Sequence, residues 1–200
     1  MRESYNTLII KIEMEQESKT LYTILVFSEN LAGLLNQITA VFTRRQVNIE
    51  SLNVSASSIK GIHKYTITCY SDEETIDKIT RQIEKKIDVL QANYFTDDEI
   101  FIQECGLFKI STPAMLNEKG ISRQIRIHDA NIVEVNPTYA IVTKSGLTED
   151  IESLYSALQE FKCVLQYVRS GRIAITKSRR EHISEYISER EEKHRLASGK

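Results

Sequence analysis

The amino-acid sequence of 200 residues predicts an α+β protein that contains two consecutive βαββαβ units. Strand-length apolar runs and helical stripes alternate in the order β-α-β-β-α-β, and this order occurs twice, over residues 20–97 and 98–176. Glycine (seven) and proline (two) are scarce, as expected for regular elements joined by short turns. The compact solution for each unit is the ferredoxin-like arrangement, an antiparallel four-stranded sheet with two helices on one face.

The first unit has the clearer pattern. Leu21–Phe27 is an apolar run of strand length, Ile49–Ser57 alternates between apolar and polar residues, and a third strand follows a turn at Gly61. Between the first two strands, apolar residues recur at the spacing of one helical face: Leu31, Leu34, Leu35, Ile38, Val41 and Phe42.

A second helix and a fourth strand complete this unit. Ser71 and Glu74 have the spacing of a capping box and predict where the helix begins. Its apolar stripe is predicted at Ile76, Ile79, Ile83 and Ile87. Val89–Phe95 is the predicted fourth strand.

The second unit repeats the order of elements without a repeat of the sequence. Pro113 fits the first turn of a helix that continues to about Ile127, although Gly120 weakens it. Thr148 is the predicted cap of the other helix, whose stripe is Ile151, Leu154, Leu158 and Phe161. The first three predicted strands are Phe101–Ser111, Asn131–Val135 and Tyr139–Thr143. The last predicted strand has two parts, Val164–Val168 and Ile173–Ile175, which are separated by a break at Ser170-Gly171.

Composition and charge exclude several classes of protein. The net charge of −2 gives no global attraction to nucleic acid, and no apolar run is long enough to cross a membrane. No signal-peptide pattern is present, and three cysteines without CxxC spacing fit small core residues in a reduced cytoplasmic compartment. Residues 1–19 are a lead-in of uncertain structure, and residues 177–200 form a charged tail with a short helical stripe at Ile183, Tyr186 and Ile187.

No residue stands out as catalytic. The sequence lacks GxSxG, HExxH, paired CxxC, EF-hand and glycine-rich phosphate-binding motifs, and its four histidines are scattered. His182 and Glu185 share a helical face, which a solvated charged surface explains better than a metal site. The motifs therefore give no catalytic residue and no metal site, although a catalytic constellation can also be assembled in space from residues without a motif.

The turn from the first strand into the first helix has an unusual charge pattern. Asn30 is a good N-cap, and Gly33 falls within the predicted first helical turn. No acidic residue lies between Glu29 and Glu50, whereas the other clear helix starts carry carboxylates. The positive end of this helix is therefore free to bind an external carboxylate or phosphate. The alternative is an N-cap, a turn glycine and core leucines with nothing bound.

Several residue strings carry a family resemblance. The run from Thr23 to Leu35, then Val41-Phe-Thr-Arg-Arg and Asn48-Ile-Glu-Ser-Leu, resembles the ACT domain. More narrowly, these strings are similar to the small regulatory subunits of acetohydroxyacid synthase (acetolactate synthase). Asp88-Val-Leu and Arg169-Ser-Gly are further matches, so the resemblance extends over residues 20–176.

The resemblance implies that residues 20–97 form an ACT domain that binds a branched-chain amino acid, usually valine, between two protomers of a homodimer. The segment Asn30–Leu35 would hold the carboxylate and ammonium groups, and Asn48 and Ile49 would be the second contact from across the dimer. The implied effector residues are Asn30, Leu31, Ala32, Gly33, Leu34, Leu35, Asn48 and Ile49. The second domain, residues 98–176, would contact and activate a larger catalytic subunit. That subunit carries thiamine diphosphate, Mg²⁺ and FAD, and the resemblance implies that this chain carries no cofactor.

Two features leave alternatives open. The family commonly has Arg-Gly where this chain has Arg45-Gln46, so the turn needs another backbone solution. Between Phe161 and Arg180 there are six basic residues and no acidic one, which fits either a solvated strand edge or a docking surface for an acidic patch. A free-standing amino-acid-responsive regulator that binds another protein or nucleic acid is the first rival function. An enzyme with an ACT-like sensor is the second, although the two units leave no room for a catalytic domain.

Overall fold

Two antiparallel sheets organise the chain, which we describe from a computed structural model for residues 19–177 and residue 188. Apart from Lys19, Lys177 and Ser188, the predicted lead-in and charged tail lie outside the described residues. Contacts divide the described chain into two compact units. One unit contains the residues up to Phe101 together with those from Ala174 onward, and the other is Ile102–Ile173.

The first unit has the predicted βαββαβ order. Its elements are β1 (Thr20–Glu29), α1 (Leu34–Arg44), β2 (Ser51–Ala56), β3 (Ile62–Ser71), α2 (Glu73–Glu84) and β4 (Val89–Phe95). The strands lie side by side in the order β2-β3-β1-β4. Because β3 pairs antiparallel with both β1 and β2, β1 and β2 run in the same direction, and β2 forms one edge of the sheet.

The register aligns the strand ends. His63 of β3 is opposite Ser28 of β1 and Ala56 of β2, and Thr68 of β3 is opposite Thr23 and Ser51. The beginnings of β1 and β2 therefore lie at one end of the sheet, and their C-terminal ends lie at the other.

The core of this unit lies between the sheet and its two helices. The apolar stripe of α1 is buried at Leu34, Ile38, Val41 and Phe42. Ile76, Ile79 and Ile83 of α2 have no exposed surface, as their spacing predicts. Burial of each such side chain contributes roughly 1.5–3 kcal/mol relative to exposure.

The second unit repeats this topology. The elements that follow β4 are β5 (Ile100–Ser111), α3 (Thr112–Asn117), α4 (Lys119–Ile127), β6 (Asn131–Val135), β7 (Tyr139–Gly146), α5 (Thr148–Gln159), β8 (Val164–Arg169) and β9 (Ile173–Thr176). They lie within the second unit, except for the first two residues of β5 and the last three of β9. The order β6-β7-β5-β8 corresponds strand for strand to that of the first sheet, and β9 also pairs with β5. The predicted fold class, two consecutive ferredoxin-like units, is confirmed.

Two helix starts differ from prediction. The N-cap of α2 is Asp72, whose side chain accepts a hydrogen bond from the Thr75 N–H at 2.8 Å, so the predicted capping box of Ser71 and Glu74 is wrong. Ser71 cannot serve because it is still in β3, opposite Thr20. Thr148 does not cap α5 either, since its hydroxyl donates to Glu104 Oε1 at 3.0 Å. The Asp150 carboxylate instead accepts from the Leu147 N–H at 3.1 Å.

Two predictions of helix extent are also wrong. Ile87 lies beyond the end of α2 and is 91% exposed, so it is not part of the apolar stripe. The helix predicted from Pro113 to Ile127 is broken at Glu118, whose backbone is extended. Gly120 has a packing role there, because a Cβ at this position would lie 2.7 Å from the Phe161 ring. No helix among the described residues is long and apolar enough to span a membrane.

Candidate functional site

The connection from β1 to α1 contains a glycine in the left-handed backbone conformation. The N-cap of α1 is Gly33, at φ +86°, so Asn30 is not the cap and Gly33 is not inside the helix as predicted. A Cβ added to Gly33 would meet nothing within 4 Å in this chain. The positive φ, and not a close neighbour within the chain, therefore explains why glycine is favoured here.

Backbone hydrogen bonds fix this connection at both sides. The Glu29 N–H donates to the Asp88 carbonyl at 2.9 Å, and the Asn30 N–H donates to the Gly61 carbonyl at 2.9 Å. The connection is thus attached to both the β2–β3 turn and the segment before β4.

The N-terminus of α1 has neither a side-chain cap nor an acidic residue in its first turn. The Leu34 N–H makes only a 3.4 Å contact with the Leu31 carbonyl, and the first intrahelical bond is from the Gln37 N–H to the Gly33 carbonyl. The N–H groups of Leu35 and Asn36 have no intrahelical acceptor, as at the start of any α-helix. Together with the helix dipole, they make this end suitable for an anionic group.

The apolar residues around this end divide into two groups. Leu34 is 1% exposed and belongs to the core of the first unit, whereas Leu31 and Leu35 are 48% and 41% exposed. Ala32 and Gly33 are exposed as well. Leu31 and Leu35 are therefore the predicted apolar residues that remain available to a ligand.

The second predicted segment, Asn48 and Ile49, lies just before β2 and is separated from it by Glu50, so it does not begin the strand as predicted. The turn before it uses Gln46 at φ +55°, the alternative backbone solution that the Arg45-Gln46 sequence requires. Asn48 is exposed, and Ile49 is half-buried against the core. Asn48 lines a polar cleft of about 240 Å³ together with Arg45, Glu50, Ser71 and Asp72, among others.

A single chain does not bring the two predicted segments together. The Asn30–Leu35 segment follows the C-terminal end of β1, whereas Asn48 and Ile49 lie where β2 begins, at the opposite end of the sheet. The 11 residues of α1 separate them, a length of roughly 16 Å at 1.5 Å per residue. A site that uses both segments therefore needs a second copy of the chain.

The second unit contains a cluster of ion pairs around Glu104 that was not predicted from the sequence. Glu104 is 5% exposed, and its carboxylate lies 3.6 Å from Arg172 Nε and 3.5 Å from Arg169. Arg169 also approaches Glu152 at 3.1 Å. Two of the six residues in the predicted basic stretch are therefore neutralised inside the chain, and Arg179 and Arg180 lie outside the described residues. Glu104 is 65 residues from Arg169 in the sequence, so no local spacing pattern indicates that the two side chains form an ion pair.

Possible metal ligands and cysteine thiols are the other groups that could support chemistry. The part of the chain that the structure describes contains no group of three or more His, Cys, Asp and Glu side chains that could hold a metal ion. Cys69 and Cys163 are buried, and Cys105 is half-buried. Burial, with a smaller effect of Glu50, raises the pKa of the Cys69 thiol to about 12.

Comparison with known proteins adds independent findings. Residues 24–91 match the family model of the acetolactate synthase (AHAS) small subunit-like ACT domain, and residues 103–178 match the family model of the small subunit of acetolactate synthase. The acetolactate synthase small subunit of Bacillus subtilis is 30% identical over 158 residues, which are 78% of this chain and 90% of that protein. The Haemophilus influenzae small subunit is 29% identical over 152 residues, 76% of this chain and 93% of that one.

The solved acetolactate synthase small subunit from Thermotoga maritima shares the fold. Its TM-score is 0.72 at 22% sequence identity, and the match covers 80% of this chain and 99% of that one. The first unit, with its βαββαβ topology and uncapped α1, is an ACT domain. The chain belongs to the acetolactate synthase small subunit family.

Proposed function

We propose that this chain is a non-catalytic regulatory subunit, which binds and activates the thiamine-diphosphate catalytic subunit of acetolactate synthase and makes it sensitive to valine. Membership of the small subunit family is the observation that carries this proposal. In this account the active site, with its thiamine diphosphate, Mg²⁺ and FAD, lies on the catalytic subunit.

A homodimer through the ACT domains supplies the complete effector site. Strand β2 is an edge strand whose six residues, Ser51–Ala56, contain neither proline nor a charged side chain. Such an edge is open to pairing with another strand. If two copies of β2 pair antiparallel about a two-fold axis, the beginning of one strand lies beside the end of the other. Asn48 and Ile49 of one protomer then lie at the same end as the partner's β1–α1 connection.

The groups at this composite site match the parts of a branched-chain amino acid. The uncapped α1 N-terminus suits the carboxylate. Leu31 and Leu35, together with Ile49 from the other protomer, offer apolar surface to a short aliphatic side chain. The side-chain amides of Asn30 and Asn48 have oxygen atoms that can accept from the ammonium group.

Binding between two protomers gives valine a route to regulate the catalytic subunit. A ligand that bridges the ACT domains favours one packing of the pair over another. The catalytic subunit then responds through a coupling free energy, typically about 1–3 kcal/mol. The second unit would make the contact with the catalytic subunit, as the resemblance of this part of the chain to the small subunits of acetolactate synthase implies.

Reconstitution with the catalytic subunit tests this function. The chain should raise the synthase activity of the catalytic subunit, and valine should then lower it. Leucine and isoleucine, assayed in parallel, identify the preferred effector. Failure to activate the catalytic subunit of the same organism would contradict the proposal.

The rival function, a free-standing regulator of nucleic acid, makes a different prediction. It requires DNA binding that weakens steeply with salt. The ion pairs of Arg169 and Arg172 with Glu104 reduce the number of cations in the basic stretch that could contact phosphates, which disfavours the rival. Salt-dependent DNA binding without activation of the synthase would favour the rival.

A further inference from the structure

A histidine lies in the sheet next to the β1–α1 connection. His63 of β3 is opposite Ser28, near the end of β1, and opposite Ala56, the last residue of β2. Two residues before this histidine, the Gly61 carbonyl accepts a hydrogen bond from the Asn30 N–H at 2.9 Å. His63 is therefore at the end of the sheet where the chain leaves β1 and enters α1.

The His63 side chain is on the face of the sheet that the helices cover. Side chains alternate between the two faces along a strand. Tyr65 and Ile67, which follow His63 at intervals of two, belong to the core that α1 and α2 cover. Lys64 is on the other face, where its Nζ lies 5.2 Å from the centre of the Phe27 ring. The imidazole is thus on the same side of the sheet as α1, and at the end where α1 begins.

The imidazole is available to a ligand. His63 is half-buried, and its ring forms no hydrogen bond or ion pair with any residue that the structure describes. No acidic residue lies in the first turn of α1 to attract the ring. An imidazole carries at least one N–H donor, whether it is neutral or protonated. It can therefore donate to a carboxylate that is bound at the α1 N-terminus.

The proposed homodimer brings the other protomer to the same place. In a two-fold pair of β2 strands, Ala56 of one chain lies beside the beginning of β2 of the other chain, which Asn48 precedes. His63 is one strand inward from Ala56. The imidazole is therefore at the end of the sheet that Asn48 of the other protomer approaches.

We infer that His63 is a further effector-binding residue, whose ring N–H donates a hydrogen bond to the carboxylate of the branched-chain amino acid. The inference rests on the effector site of the proposed function. In this arrangement the carboxylate accepts from the backbone at the α1 N-terminus and from a side chain of β3. The side chain of β3 then adds selectivity for a ligand that carries a free carboxylate.

Calorimetric titration of the full-length chain with valine tests the inference. His63→Ala should raise the valine dissociation constant about fivefold or more, as expected for the loss of a hydrogen bond to a charged group. His63→Gln should recover part of this loss, because its side-chain amide also donates an N–H. Lys64→Ala is the matched control, because it removes a cation from the neighbouring position on the other face of the sheet. It should change the dissociation constant less than twofold, and circular dichroism checks that all three variants fold.

Nuclear magnetic resonance of the wild-type chain supplies a readout that needs no destabilising change. In a chain labelled with ¹⁵N-histidine, valine should shift the ring signals of His63, which the His63→Gln variant assigns. The ring signals of His128, which contacts the Gln124 carbonyl in the second unit, should stay in place.

The outcomes separate this inference from the proposed function. Valine binding that leaves the His63 signals in place would overturn the inference alone. Equal dissociation constants for His63→Ala and Lys64→Ala, or for His63→Ala and His63→Gln, would also overturn it alone. A wild-type chain that binds neither valine, leucine nor isoleucine would overturn the proposed effector function as well.

Discussion

Glu104 and Arg172 form a buried ion pair in the second unit, in which Arg172 Nε lies 3.6 Å from Glu104 Oε1. The Arg172 side chain is 9% exposed, and the Glu104 side chain is 4% exposed. Thr148 joins them, since its hydroxyl donates to Glu104 and accepts from Arg172. The pair therefore connects β5, the start of α5 and the segment between β8 and β9.

Removal of one partner should leave the other charge buried without compensation. We expect Glu104→Ala to lower the free energy of unfolding by about 3 kcal/mol, the lower end of the range for a broken buried pair. Glu152→Ala is the matched control, because Glu152 also contacts Arg169 but is 57% exposed. Its loss should cost less than about 1 kcal/mol. Urea denaturation measures both, and equal losses would contradict the assigned role of Glu104.

A carboxylate at position 33 should block the effector. Gly33→Asp places a negative charge where the effector's carboxylate would bind, so we expect valine affinity to fall at least tenfold in isothermal titration calorimetry. A side chain at φ +86° also costs backbone energy, about 1–2 kcal/mol in general.

Gly33→Asn separates these two effects. It imposes a similar backbone cost without the charge, and asparagine tolerates the left-handed region comparatively well. Valine affinity should therefore fall clearly less for Gly33→Asn than for Gly33→Asp, while both variants still activate the catalytic subunit. Unchanged valine inhibition in the Asp variant would refute the assignment of this site.

The strained turn before β2 gives a prediction of stability. Gln46 has φ +55°, so Gln46→Gly should raise the free energy of unfolding by about 1 kcal/mol. Arg45→Gly is the control, because Arg45 has φ −102°, and glycine there should destabilise by about 0.5–1 kcal/mol. Thermal melting of the two variants should shift in opposite directions. A lower melting temperature for Gln46→Gly would show that the Gln46 side chain matters more than its backbone strain.

The burial of Cys69 predicts a loss of stability at alkaline pH. Its pKa is raised to about 12 in the folded chain, from 9.0 for an ordinary thiol, because burial disfavours the thiolate. The unfolded chain loses this proton first, so the free energy of unfolding should fall as the pH rises above about 9. Cys69→Ala should show a shallower decline between pH 9 and 10.5 in urea denaturation. Identical slopes would mean that other groups cause the decline.

Much of the fold could be predicted from periodicity, because the spacing of Ile76, Ile79 and Ile83 or of Ile151, Leu154 and Leu158 defines one buried helical face. Element ends were less predictable. Ser71 and Thr148 are both residue types that often cap helices. Ser71, however, is paired with Thr20 in the sheet, and the Thr148 hydroxyl donates a hydrogen bond to Glu104. These partners are distant in sequence, so local pattern could not reveal them.

The candidate site could be predicted in composition but not in geometry. The lack of acidic residues at the start of α1 is visible in the sequence and is present in the structure. The backbone at Gly33 was not predicted, because a glycine can lie within a helical turn or cap it in a left-handed conformation. The separation of Asn30 from Asn48 follows from strand direction, which only the register of β1, β2 and β3 establishes.

In the proposed homodimer, each effector site combines the β1–α1 connection of one protomer with Asn48 of the other. Gly33→Asp and Asn48→Ala should each abolish high-affinity valine binding in a homodimer. In a mixed dimer of the two variants, one composite site carries both changes, and the other combines an unaltered Gly33 with an unaltered Asn48.

Calorimetry on mixed dimers, isolated through two different affinity tags, tests whether the site is shared between protomers. We expect one valine to bind per mixed dimer with close to wild-type affinity, against two per wild-type dimer. A site contained within one chain would leave both sites of the mixed dimer altered. Absence of valine binding in mixed dimers that are folded and still activate the catalytic subunit would therefore rule out an effector site shared between two protomers.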